Sequence, residues 1–310
     1  MILSAHNITK RYSGTVALND VDFEINQGEV LGLIGENGAG KSTLMRIICG
    51  IEQPSEGQIA LNGTSVEFAG PQTAQAAGIA MIPQEVLLVD DLTVVENIFL
   101  GHEISGRFGL AKPDMKAAAA RILGELECTH IHPDQTTGSL PKGSQQMIAI
   151  ARRVMQGGEV FVMDEPTASL TGEETQALFR LLRKLKSQGK SSVFISHRLE
   201  EMLEICDRIV VLRDGALVGN FPNHDKALRK DQLVAAMVGN AVADEYARVI
   251  SELGPVVLET KAIEVPTFQG RKTPPISLQA HAGEGVQMGH EHAVVGLAGR
   301  GLVHVEGIGV

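Results

Sequence analysis

Between Glu29 and Gly50 the chain reads EVLGLIGENGAGKSTLMRIICG, and no other stretch narrows the possible folds as much. Gly35-Glu36-Asn37-Gly38-Ala39-Gly40-Lys41-Ser42 fits the spacing G-x-x-x-x-G-K-[ST] at every fixed position, and Thr43 follows. An apolar, β-leaning run (residues 30–34) precedes it, and Leu44, Met45, Ile47 and Ile48 follow at helical spacing. The loop is therefore expected to join a buried strand to a helix start. Its glycines let the backbone curl with N–H groups pointing inward. Added to the positive end of the helix, these donors form an anion cradle suited to nucleotide phosphates, with Lys41 reaching the β/γ oxygens and Ser42 a Mg²⁺ ion. A chance glycine loop would not require both flanks to agree.

With 310 residues, 44% of them hydrophobic, the chain can build one large domain or two with a real core. A formal net charge of −10 argues against a protein that lives on nucleic acid, since neutralising phosphates needs a basic face. Cys49, Cys128 and Cys206 are widely spaced in apolar settings and read as reduced core thiols, which points to the cytoplasm. The opening MILSAHNITK has no long apolar region, and no stretch approaches the ~18 apolar residues of a bilayer span. A membrane role is expected to be peripheral.

Residues 2–9, 16–26 and 57–62 alternate apolar and polar side chains between turn residues, as half-buried strands do. Tyr12 is expected in the loop 10–14, where its ring could stack on a base or be an ordinary exposed turn residue. A strand at 79–83 ends in Gln84. Residues 88–156 read as a helical insertion whose last helix opens at Gly143-Ser144-Gln145-Gln146, polar donors that would suit an anion or simply start a helix.

Val160-Phe161-Val162-Met163-Asp164-Glu165 is a short apolar run ending in two carboxylates, and ligands sit at the carboxyl ends of such parallel strands. One acid there can hold Mg²⁺ and the next can deprotonate a water. Thr171-Gly172-Glu173-Glu174 is a capping box before a leucine stripe. A further strand at 192–196 ends at His197, placed to hydrogen-bond a terminal phosphate, and the strand and turn at 209–215 lead to the close of the domain near Gly239.

These motifs, in this order, resemble the ATPase subunits of ABC transporters, and more narrowly the tandem-domain ATPases of sugar importers of the ribose, xylose and galactose kind. The resemblance runs over residues 3–239. It implies an α/β P-loop NTPase of ABC type, a mostly parallel sheet with an antiparallel β subdomain and a helical subdomain. Gly35 to Thr43 is similar to Walker A and residues 160–165 to Walker B, with Glu165 as general base and Ser42, Gln84 and Asp164 around Mg²⁺. Tyr12 matches the adenine-stacking aromatic, Gln84 the Q-loop and His197 the switch histidine. Residues 165–171 and 92–101 have the sugar-importer form. The resemblance implies ATP hydrolysis energising uptake of a sugar or similar small polar solute. It implies transmembrane permease subunits, a periplasmic or extracellular solute-binding protein acting indirectly, and a second ATPase domain or homodimer partner at the cytoplasmic face of the membrane. The alternative is a regulatory nucleotide-binding subunit with little catalysis.

The chain departs from that pattern twice. The signature LSGGQ aligns with Leu140-Pro141-Lys142-Gly143-Ser144, so a proline and a lysine replace the expected serine and first glycine. Beyond an ATPase domain at 1–240 and a linker at 241–255, residues 256–310 echo the start of a second ATPase domain. The offset is 283 − 28 = 255 for the first strands, rising to 299 − 35 = 264 at residues 294–299, with residues 285–293 inserted and no second G-K-[ST] after Gly299. One nucleotide per chain is expected. His290 and His292 lack acidic or cysteine companions at metal-ligand spacing.

Overall fold

The computed structural model describes residues 1–106, 109–239, 256–263 and 276–281. The chain divides into two units, Met1–Ala243 and Asp244–Val310.

The first unit begins with an antiparallel hairpin, β1 (Leu3–Tyr12) and β2 (Thr15–Ile25). A buried strand β3 (Val30–Ile34) then leads through the glycine loop into α1 (Lys41–Ile48). Next come β4 (Glu56–Leu61), β5 (Thr64–Val66), the short α2 (Pro71–Ala76) and β6 (Ile79–Ile82). The arm that follows holds α3 (Val94–Phe99), a small ribbon of β7 (Ser105–Gly106) and β8 (Gly109–Leu110), α4 (Lys112–Glu125) and α5 (Lys142–Gln156). Then follow β9 (Val160–Asp164), α6 (Gly172–Ser187), β10 (Ser191–Ile195), α7 (Leu199–Ile205), β11 (Arg208–Arg213), β12 (Ala216–Pro222) and α8 (Lys230–Val238). The arm is mainly helical, but its β7–β8 ribbon was not legible, because two-residue strands carry no periodicity.

Six strands form one sheet in the order β12-β11-β3-β10-β9-β6, parallel except for β12 at one edge. Four form an antiparallel sheet, β2-β1-β4-β5. Strands β3 and β10 are buried along their whole length, and β9 is buried up to Asp164. Burial on both faces makes them unbroken apolar runs instead of alternating ones. Their successive residues feed two cores. Leu31, Leu33, Val160, Val162, Val193 and Ile195 pack with α1 and the antiparallel sheet. Val30, Ile34, Phe161, Met163 and Phe194 pack with residues of α5, α6 and α7. Thr171 caps α6 reciprocally with Glu174, as the sequence pattern requires.

In the second unit β13 (Val256–Ile263) pairs antiparallel with β14 (Ile276–His281). The register repeats that of the first hairpin. Leu258↔Ala280, Glu259↔Gln279, Thr260↔Leu278 and Ile263↔Ile276 correspond to Leu3↔Ile25, Ser4↔Glu24, Ala5↔Phe23 and Ile8↔Val21, each residue displaced by 258 − 3 = 255. Even the irregularity between Ala5 and Ile8 recurs between Thr260 and Ile263. The echo at residues 294–299, the insertion at 285–293, His290 and His292 lie outside the described residues.

Candidate functional site: a phosphate loop beside three strand tips

The loop from Gly35 to Gly40 leaves the end of β3 against β11 and β2. A Cβ on Gly35 would lie 2.1 Å from the Leu212 carbonyl oxygen, and one on Gly40, at φ 103°, 2.6 Å from that of Ala17. Only glycine fits either position. Glu36, Asn37, Gly38 and Ser42 are exposed, Ala39 is buried, and Gly35, Gly40, Lys41 and Thr43 lie between. Helix α1 has no side-chain N-cap, which leaves its first N–H groups free for an anion. The Lys41 ammonium folds back onto the loop, donating to the carbonyls of Gly35 (2.8 Å) and Glu36 (2.9 Å). Burial lowers its proton affinity, opposed by the charges of Glu165 and Asp164.

Parallel pairing of β9 with β10 and of β10 with β3 brings three loop starts side by side. Asp164 ends β9, and burial, reinforced by the Glu165 charge, raises its carboxyl above the ordinary value against the pull of Lys41 and Arg46. Glu165 has φ 48°, the left-handed region, and its N–H donates to the Ile195 carbonyl at 3.0 Å. His197, past the end of β10, places Nδ1 2.8 Å from Glu165 Oε2. Ser42, Gln84 and Asp164 line one cleft of about 500 Å³ with Arg46 and Arg153. The Ser42 hydroxyl, the Gln84 side-chain oxygen and the Asp164 carboxylate are hard oxygen donors of the kind Mg²⁺ takes.

Tyr12 is not in a loop. It is the last residue of β1, paired with Thr15, because the turn closes in only Ser13 and Gly14. Its ring is 43% exposed, open enough to receive a base. The phenol donates to Glu52, and the Lys10 ammonium lies 5.2 Å from the ring centroid. That hydrogen bond, then burial, raises the phenol's proton affinity. Nothing in the spacing of Glu52 signalled this contact, which joins residues 40 positions apart.

Of the two readings of the α5 start, the structure matches the ordinary helix start. The helix already begins at Lys142 with Pro141 as N-cap, and Gly143, Ser144, Gln145 and Gln146 are buried. Ser144 Oγ lies 3.3 Å from His130 Nε2, and Gln145 Nε2 donates to the carbonyls of Leu140 (3.0 Å) and Thr137 (3.3 Å). These side chains fasten the arm and do not face outward. A Cβ on Gly143 would meet Glu174 Oε2 at 2.6 Å, so a carboxylate also stands against this helix start. All three cysteines are buried and free, and burial pushes the Cys49 thiol up to about 12 and Cys128 to about 11.

A glycine loop between a central parallel strand and a helix, with an acid pair and a histidine at the neighbouring tips, defines a P-loop nucleotide-binding domain. Residues 18–168 match the ABC transporter family. The chain is 41% identical over 285 residues to the arabinose import ATP-binding protein AraG 2 of Burkholderia ambifaria, covering 91% of this chain and 53% of that protein. It is also 41% identical over 280 residues to the ribose import ATP-binding protein RbsA of Hahella chejuensis, covering 87% of this chain and 55% of that one. The chain thus spans about half the length of the curated relatives it matches. A nucleotide-free ATP-binding cassette of an ABC transporter superposes with a TM-score of 0.65 at 26% identity, over 77% of this chain and 99% of the cassette. A cassette solved as a dimer bound to ADP and Pi gives 0.64 at 25%, over 72% and 99%. The fold is the ABC ATPase cassette, and the chain carries an ABC transporter ATP-binding domain.

Proposed function

We propose that this domain binds Mg-ATP and hydrolyses it to energise import of a pentose or a similar small polar solute through separate permease subunits. The observation that carries the reading is the convergence of Lys41, Asp164, Glu165 and His197 at the ends of adjacent strands, with Gln84 and Asp164 lining one cleft. On binding, the β/γ-phosphates take the place of the Gly35 and Glu36 carbonyls as partners of Lys41. The loop amides and the Thr43 region hold the remaining oxygens, while the Tyr12 ring stacks on adenine. Mg²⁺, held by Ser42, Asp164 and Gln84, would neutralise charge on the phosphates. Glu165 accepts the proton of the attacking water, and His197 turns from Glu165 to the γ-phosphate.

The sugar assignment draws support from the arabinose and ribose import proteins that the chain resembles. No helix among the described residues is long and apolar enough to cross a membrane. In this reading the chain docks on the permease at the cytoplasmic face, and a periplasmic or extracellular solute-binding protein takes part only indirectly. The matching hairpin registers support a second ATPase domain beginning near residue 256, after a linker at 241–255. A second reading, a regulatory subunit with little catalysis, draws on the closed start of α5 around Pro141, Lys142 and Glu174.

The test is Glu165→Gln in the full chain. Turnover of Mg-ATP falls roughly 10²–10⁴-fold while affinity for a fluorescent ATP analogue stays unchanged. Equal rates for variant and wild type would remove the hydrolytic reading in favour of the regulatory one.

A further inference from the structure

Glu165 and His197 sit on different loops, and each loop is tied to the same third side chain. Glu201, in the first turn of α7, accepts a hydrogen bond from Thr167 Oγ1 at 2.6 Å through Oε2. Its Oε1 accepts from Arg198 NH1 at 3.0 Å. Thr167 is 1% exposed and lies two residues past Glu165, and Arg198 follows His197 directly. The Arg198 N–H donates in turn to Ser196 Oγ at 3.0 Å, closing the second loop on itself. The hydroxyl-to-carboxylate contact has the length of a charge-assisted bond, and at that burial it has few competing waters.

The backbone makes such a tie necessary. Glu165 holds φ 48°, and a non-glycine residue stays in that region only where its surroundings over-determine it. Its own N–H to Ile195 and its carboxylate to His197 are two of the constraints. The third lies outside both strand tips. We propose that Glu201 is a positioning residue that locks the loop after β9 to the loop after β10 and thereby holds Glu165 at its distance from His197. This rests on the hydrolytic reading of Glu165 given above. A plain alternative role for Glu201 is to complement the positive end of α7 and pair with Arg198 at i,i+3, which would leave Thr167 irrelevant.

The experiment compares wild type, Thr167→Val, Thr167→Ser and Glu201→Gln as full chains. Readouts are kcat and KM for Mg-ATP, affinity for a fluorescent ATP analogue, and amide hydrogen exchange in residues 165–170 and 196–201. Valine keeps the volume of threonine and removes the hydroxyl. Thr167→Val is expected to lower kcat about 10- to 100-fold with affinity for the analogue unchanged, and to speed exchange in both loops. Thr167→Ser restores both, and Glu201→Gln, which sets an amide against Arg198, speeds exchange in both loops as well. Unchanged exchange in residues 196–201 of Thr167→Val, faster exchange in α7 alone, or an equal loss in Thr167→Ser would each overturn the tie. A wild-type chain that turns over no ATP removes the hydrolytic reading instead, and the exchange data still decide whether Glu201 locks the loops.

Discussion

Helices α1 and α5 both start without a side-chain cap, both follow a strongly constrained residue, and both carry small or polar residues in their first turn. At α1 the approach includes Gly38 and Gly40 with φ of 84° and 103°, the loop is exposed from Glu36 to Gly38, and the Lys41 ammonium folds over it. At α5 the preceding residue is a proline, the polar side chains from Ser144 to Gln146 turn inward, and Glu174 closes on Gly143. Equal helix dipoles therefore give unequal anion sites. What separates them is whether the amides stay open to solvent and whether the lysine folds over the loop, as Lys41 does, or onto its own helix, as Lys142 does toward Gln145.

The strongest way to break this contrast is to remove the cation at α1. Lys41→Ala forfeits charge-assisted hydrogen bonds worth about 3 kcal/mol, so affinity for an ATP analogue should fall roughly 100-fold by titration calorimetry. An unchanged affinity would mean that amides alone make the site and that α1 and α5 differ less than their surroundings suggest. A smaller effect comes from opening α5. In the ABC family this loop resembles a signature that faces the nucleotide of a partner domain; proline fixes φ and offers no N–H, so Pro141→Ser with Lys142→Gly should raise hydrolysis roughly tenfold at protein concentrations that favour dimers. No change would show that this loop never meets a nucleotide.

The smallest effect concerns stability. Asp164 has its folded-state proton affinity raised by burial and by Glu165, so between the unfolded and folded pKa the native state binds more protons than the unfolded chain. Its contribution to stability accordingly falls as pH rises through the raised value, and at neutral pH the ionised carboxylate is a cost to the nucleotide-free fold. Asp164→Asn should therefore raise the nucleotide-free Tm by a few degrees at pH 7 and lose that advantage in acid, while Mg²⁺ no longer tightens nucleotide binding. A Tm lowered at pH 7 would show that the carboxylate is held by contacts stronger than its desolvation.

Much of the nucleotide side is legible in the sequence alone. The glycine spacing of residues 35–40 leaves one backbone path, and the apolar run ending in Asp164 and Glu165 announces a buried strand tip. Ser13 and Gly14 signal a turn without giving its length, so the sequence places Tyr12 in a loop where the structure has the last residue of β1. For Ser144, Gln145 and Gln146 the sequence leaves an anion site and an ordinary helix start open, because a polar helix start has the same spacing whether its side chains face solvent or pack against an arm.

Two hairpins separated by 255 positions adopt one register, down to the same irregularity, because strand pairing follows the two-residue alternation along each strand. That much, with the curl of the phosphate loop, local sequence determined. Which side chains meet across the strands was decided only by the tertiary structure. Glu165 reaches His197, and Thr167 reaches Glu201, across β9 and β10, whose parallel register is set by the sheet and by helices packed on both its faces. Contacts between residues 32 and 34 positions apart depend on that register and on the helices that hold it, and neither leaves a periodic trace in the chain.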